Sequence, residues 1–122
     1  MLMKNSEIYN YTQALIEAFH DNNQRLPVKI NFYLQKNKKT LLSLSQDIEQ
    51  SRMEIAQNYG ILNDEGTAYT IPDENIGIVN TEIQDLFNIE QEVPIYKVSI
   101  DSFSDDLTLT TAQMEAIMFM ID

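Results

Sequence analysis

Apolar residues recur at helical spacing in four stretches of the chain and alternate with polar ones in two others. The first helical pattern covers residues 6–20, with Ile8, Tyr11, Leu15, Ala18 and Phe19 on one side and Asn5 or Ser6 placed to cap. A polar run, Asp21-Asn22-Asn23-Gln24, connects it to Leu26-Pro27. Proline suits a first helical turn, because its missing N–H would have no intrahelical partner there. From Val28 to Tyr59 neither Gly nor Pro interrupts, and Gly60 follows as a left-handed stop. Leu34, Leu41, Ile48, Ile55 and Leu62 recur at every seventh position, whereas the parallel line Ile30, Asn37, Leu44, Ser51, Asn58 is apolar at only two places. That predicts one narrow seam, enough to pack on another helix and poor as a sustained coiled coil. An unbroken helix here would be roughly 48 Å long. A compact domain of this length is about 30 Å across, so the helix is expected to kink or project. The alternation of Val28, Ile30 and Phe32 with Lys29 and Asn31 also leaves open an extended start.

The second half is more broken. Asn63-Asp64-Glu65-Gly66 is a turn signature, and residues 67–71 form a short β-prone run stopped by Pro72. A third helix is predicted over residues 72–88, with Val79, Ile83, Leu86 and Phe87 on one face and Gly77 as a weak point. Residues 93–100 give the clearest strand: Tyr96, Val98 and Ile100 on one side, Val93 and Ile95 on the other, with Pro94 placing its start at an edge. A polar loop, Asp101 to Asp106, leads to a last helix whose start is marked by Thr110 with Gln113 three residues on. The apolar run from Met114 to Ile121 is expected to close the core, Met118 and Phe119 included; the alternative is a Met-rich contact surface. Together these elements predict one domain over residues 1–122. The expected fold is α+β and helix-dominated: a long helical hairpin, a small β element from 67–71 and 93–100, and a C-terminal helix.

Composition adds exclusions. With 43% hydrophobic and 22% charged residues the 122-residue chain falls in the globular range, not the disordered one. It has no cysteine, one histidine and three glycines, so no disulfide scaffold, Cys-ligated zinc site, multi-histidine metal site or Gly-rich phosphate loop can be built. No window approaches the roughly 18 apolar residues of a membrane span. The first residues lack the apolar stretch of a secretory signal, so an intracellular location is expected.

Charge changes the picture most. The net charge is −11, and it is unevenly placed: residues 1–40 sum to +3 and residues 41–122 to −14. From Gly60 onward a single base, Lys97, stands against 13 acids. Free nucleic acid is therefore not an expected ligand. The strip Lys36, Lys38, Lys39, with Phe32 and Tyr33 nearby, reads as a solvated helix face. The acid-rich stretch serves solubility and attraction to the basic first third, meets a basic partner, or binds divalent cations; contact residues toward a basic partner would be Asp64, Glu65, Asp73, Glu74, Asp101, Asp105 and Asp106. Each lies in a turn or at a helix start. None of the acidic pairs has the alternating spacing of a calcium loop, and His20 at the end of a helix has no nucleophile motif to serve. No metal, cofactor or catalytic activity is expected.

The runs Lys4-Asn5-Ser6-Glu7-Ile8-Tyr9-Asn10 and Leu26-Pro27-Val28-Lys29-Ile30 resemble a family of small proteins of unknown function from phages and prophages of Gram-positive bacteria. The likeness extends through Glu49-Gln50-Ser51-Arg52, Tyr59-Gly60, Leu86-Phe87-Asn88-Ile89-Glu90 and Phe119-Met120-Ile121, nearly the whole chain. These are packing and capping residues, and the family has no catalytic residues to transfer. The resemblance implies a phage context and the host bacterial cytoplasm. Two functions follow as expectations. One is an anti-CRISPR-like inhibitor that occupies the basic channel of a host defence protein such as an RNA-guided nuclease, acting as a monomer or weak homodimer. The other is a morphogenesis or structural accessory that assembles through its helices.

Overall fold

The computed structural model describes residues 1–20, 26–103 and 107–122. A short strand β1 (Leu2–Lys4) runs directly into helix α1 (Asn5–Ala18), and helix α2 spans Val28–Tyr59 without a break. A hairpin of β2 (Ile61–Leu62) and β3 (Tyr69–Thr70) follows, then helix α3 (Asp73–Asn88), strand β4 (Glu90–Glu92) and helix α4 (Thr111–Ile117). The fold is α+β and dominated by helices. The polar connector 21–24 and the end of the loop at 104–106 lie outside the described residues.

One apolar core joins α1, α2, α4 and the chain on either side of α4. Ile8 and Leu15 of α1, Leu34, Leu41 and Ile48 of α2, and Ala116, Ile117, Phe119 and Met120 at the C-terminal end are all buried in it, with Met3, Val93 and Val98. Burying a side chain of this size is worth roughly 1.5–3 kcal/mol each, which is why the heptad line of α2 faces inward. The helix contact is close because small polar residues lie in it. Ser45 donates to the Thr12 hydroxyl at 2.8 Å, and that hydroxyl donates to the Ile8 carbonyl at 2.7 Å, so both oxygens are satisfied while buried.

Several expectations need correcting. Residues 28–40 are helical from the start, and the seam ends at Ile48 and half-buried Ile55, because Leu62 belongs to β2. The run 67–71 does not pair with 93–100: Tyr69 and Thr70 pair with Leu62 and Ile61, their near neighbours across the turn. The second small sheet is antiparallel β1–β4, with Met3 opposite Gln91. Glu90-Gln91-Glu92 has no apolar alternation to betray it, and its partner is only three residues long. Residues 93–100 form no regular strand. Val93 and Val98, on opposite faces of the alternating pattern, are both buried, while Tyr96 and Ile100 are exposed. Pro94 has no N–H to give a ladder, and at Tyr96 a side chain supplies what a neighbouring strand would: Asn37 donates to the Tyr96 carbonyl and accepts from its N–H, each at 2.8 Å. Val98 makes a lone parallel bridge with Ile121.

Helix ends differ too. Asn5 is the first residue of α1, not its cap; its amide donates to the Leu86 carbonyl at 2.9 Å and accepts from Gln91 at 2.7 Å. The α1 end is capped from afar by Gln113, which donates to the Ala18 carbonyl at 3.1 Å. The capping box of Thr110 and Gln113 forms as the spacing predicts. The C-terminal run closes the core, except for Met118, which is 62% exposed. Its removal is therefore not expected to cost stability, whereas Phe119, stacked on Tyr11 at 4.9 Å, is a core residue.

Gly77 lies in the first half of α3 with open space where a Cβ would project. Alanine there loses no contact and reduces the freedom of the unfolded chain. Gly77→Ala is expected to stabilise the fold by ~0.5–1 kcal/mol, read as a higher urea midpoint at unchanged slope. A lower midpoint would contradict an unstrained helical position.

Candidate functional site

The hairpin and the start of α3 place four of the expected contact residues at one end of the molecule. Asn63 makes the turn: its side-chain oxygen accepts from the Thr67 N–H at 2.9 Å and its carbonyl from Gly66 at 3.0 Å. Gly66 adopts φ 72°, a left-handed conformation in which a side chain would be strained. Asp64 and Glu65 occupy the tip of this turn and are exposed. Asp73 and Glu74 form the exposed first turn of α3, where carboxylates complement the helix dipole. Asn75, one residue on, donates to the Tyr59 carbonyl at 3.0 Å and so fastens that turn to the end of α2. Tyr59 in turn donates to Glu82 at 2.9 Å; this hydrogen bond to a carboxylate raises the phenol above its ordinary value.

Asp101 is not part of this group. It lies on the 3-10 turn Ile100–Ser102, in the segment that Asn37 and Ile121 hold. Asn37 is roughly 22 Å along α2 from Arg52, at about 1.5 Å per residue. Asp105 and Asp106 lie outside the described residues. The tertiary structure thus unites Asp64, Glu65, Asp73 and Glu74 and separates Asp101 from them.

The same end holds a feature that motif reading passed over. A cleft of about 570 Å³ lies between α2, the hairpin and α3, lined by Arg52, Met53, Ala56, Leu62, Gly66, Thr67, Ala68, Tyr69, Ile71, Val79 and Ile83. Met53 and Ala56, three apart on α2, and Val79 and Ile83, four apart on α3, were its only trace in the sequence. Among the described residues Arg52 is the one cation on its wall, and it is engaged by Glu49: its Nε is 3.2 Å from the carboxylate, which raises the guanidinium further still.

Basic residues gather toward the opposite end of α2. Lys29 lies over the Tyr33 ring at 5.8 Å and Lys36 over Phe32 at 5.5 Å, so two of the lysines cover aromatic faces. Tyr33 stacks on Tyr96 at 5.3 Å, which brings Lys97 to this basic end. His20 is exposed, with Nδ1 2.8 Å from the Glu17 carbonyl oxygen. Among the described residues no three His, Asp or Glu side chains converge as a metal site requires, and no helix is long and apolar enough to cross a membrane. No protein-family model, curated protein or solved structure matches the chain.

Proposed function

We propose that this protein is a non-enzymatic, phage-encoded inhibitor acting in the host bacterial cytoplasm. Its acid-rich end occupies the basic nucleic-acid channel of a host defence protein, with an RNA-guided nuclease as the type that fits best. One observation carries the reading: the chain after Gly60 has 13 acids against one base, and the turn and helix start nearest to α2 present Asp64, Glu65, Asp73 and Glu74 to solvent. Carboxylates so placed are already hydrated, and they meet Arg or Lys of a partner without loss of a contact at home. The alternative, an accessory of virion assembly, keeps the uninterrupted α2 as its support. It loses most of the C-terminal surface, since Ile117, Phe119 and Met120 are spent in the core.

The test is association with a purified RNA-guided nuclease across a salt series. The native chain is compared with two charge-reversed forms, Asp64→Lys/Glu65→Lys/Asp73→Lys/Glu74→Lys and Asp105→Lys/Asp106→Lys. Reversal is expected to slow association by about tenfold or more and to flatten the salt dependence. The melting temperature should change little for Asp105→Lys/Asp106→Lys and fall modestly for the quadruple form, whose lysines at 73 and 74 oppose the α3 dipole. Free duplex DNA should not bind at physiological salt. An affinity indifferent to both salt and reversal would remove mimicry and leave assembly standing.

A further inference from the structure

We infer that the cleft between α2, the β2–β3 hairpin and α3 is a docking groove for a basic amphipathic helix of the partner protein. This rests on the acid-end reading above and names the groove and the kind of segment that would fill it. The groove floor is apolar, formed by Ala56, Ile71, Val79 and Ile83, with Met53 and Leu62 at its edges. Met53 is 44% exposed and Leu62 48%, although both are large enough to be buried with profit. Among the described residues the walls offer no free cation, because Arg52 is held by Glu49.

Apart from Arg52, which Glu49 engages, the charged residues next in sequence to this lining are acidic. Glu65 adjoins Gly66, Asp64 follows Leu62 by two positions, Asp73 follows Ile71 by two, and Glu82 adjoins Ile83. A helix with an apolar stripe flanked by Lys or Arg satisfies both features at once: the stripe covers the floor and the cations meet the rim. A purely cationic loop would leave the floor wet, and an acidic or neutral helix would be repelled or gain nothing from the rim. A second copy of this chain is disfavoured, because each copy carries −11.

The experiment uses the full chain and three synthetic peptides of about four helical turns. One has a leucine stripe flanked by lysines; the second has the same composition scrambled so that no stripe forms; the third keeps the stripe with glutamate for lysine. Amide shift mapping with the first is expected to move residues of the groove, Met53, Ala56, Leu62 and Ile83 foremost. Its affinity should exceed that of the scrambled peptide by roughly tenfold and weaken with salt, and the glutamate peptide should not bind. Met53→Lys, at an exposed position that does not threaten folding, should reduce the affinity by roughly tenfold, whereas Asp101→Lys should leave the groove shifts in place. Equal binding of striped and scrambled peptides, with shifts spread over the acidic turns, would overturn the groove while leaving the acid-end reading intact. Groove shifts with the striped peptide would support the groove even if charge reversal left nuclease binding unchanged, which would count against the inhibitor reading alone. A dimer in sedimentation that Met53→Lys dissociates would overturn the proposal in favour of a second copy.

Discussion

Replacing Asn37 by leucine is expected to destabilise the fold by ~2–4 kcal/mol, a large part of a typical domain's stability. Asn37 is fully buried on the inward side of α2. Its amide nitrogen donates to the Tyr96 carbonyl at 2.8 Å and also lies 3.5 Å from the Met120 sulfur, while its oxygen accepts from the Tyr96 N–H at 2.8 Å. One side chain thus does for Tyr96 what a neighbouring strand would do. Leucine has similar volume and no polar atoms, so it fills the space and leaves both backbone groups of Tyr96 without partners. Each unsatisfied group costs ~1–3 kcal/mol where water cannot reach it. Urea unfolding should show a lower midpoint, and hydrogen exchange at the Tyr96 amide should accelerate more than at Leu15 or Leu41. Aspartate is no remedy, because it loses the donor and sets a carboxylate against the Tyr96 carbonyl. A shift below about 0.5 kcal/mol with Tyr96 still protected would show that another group or water serves that backbone equally well.

Gly60→Ala is expected to cost ~1–3 kcal/mol and to loosen the acid-rich end before the rest of the molecule. Gly60 does not end α2 in the left-handed conformation that its position after the helix suggests; its φ is −104° and its ψ 166°, an extended geometry open to any residue. What demands glycine is space. A Cβ there would sit 2.5 Å from the Ala56 carbonyl oxygen and 3.1 Å from both Ile71 Cδ1 and Tyr69 Cβ. The Ala56 oxygen is backbone and accepts the closing bond of the helix from Gly60 N–H at 2.8 Å, so it cannot withdraw without breaking that bond. The hairpin must shift instead, taking Asp64, Glu65 and one wall of the cleft with it. Amides of the hairpin should then exchange faster than those of α1, and partner binding should weaken beyond the loss of global stability. Unchanged exchange and an unchanged midpoint would show that the helix end yields easily.

Helices were legible because their signals are local and repeated. The line Leu34, Leu41, Ile48 and the uninterrupted run to Tyr59 specify α2, since a stripe at that spacing can be buried only as a helix. The Thr110–Gln113 box and the Asn63–Gly66 turn were equally plain, because each is closed by bonds within a few residues. The acidic bias after Gly60 is also a property of the sequence alone.

Pairing across long separations was not legible. Strand β4 is three polar residues whose partner, Leu2–Lys4, is nearly the whole chain away, and the alternation in 93–100 pointed to a strand that Asn37 replaces. Asn5 reads as a cap of its own helix, Gln113 as part of a local box and Asn75 as an ordinary polar residue, yet each also donates to a backbone carbonyl near the end of another helix. An amide side chain has no pattern of its own; its role is set by which unpaired carbonyl the packing brings within reach. The same holds for the candidate site. Sequence named Asp64, Glu65, Asp73, Glu74, Asp101, Asp105 and Asp106 as equals. Only the packing of α3 and the hairpin on the end of α2 joined the first four at the end that holds the apolar cleft and left Asp101 apart, while Asp105 and Asp106 lie outside the described residues. Composition determines how much charge a chain carries, but the distances between charges belong to the tertiary fold.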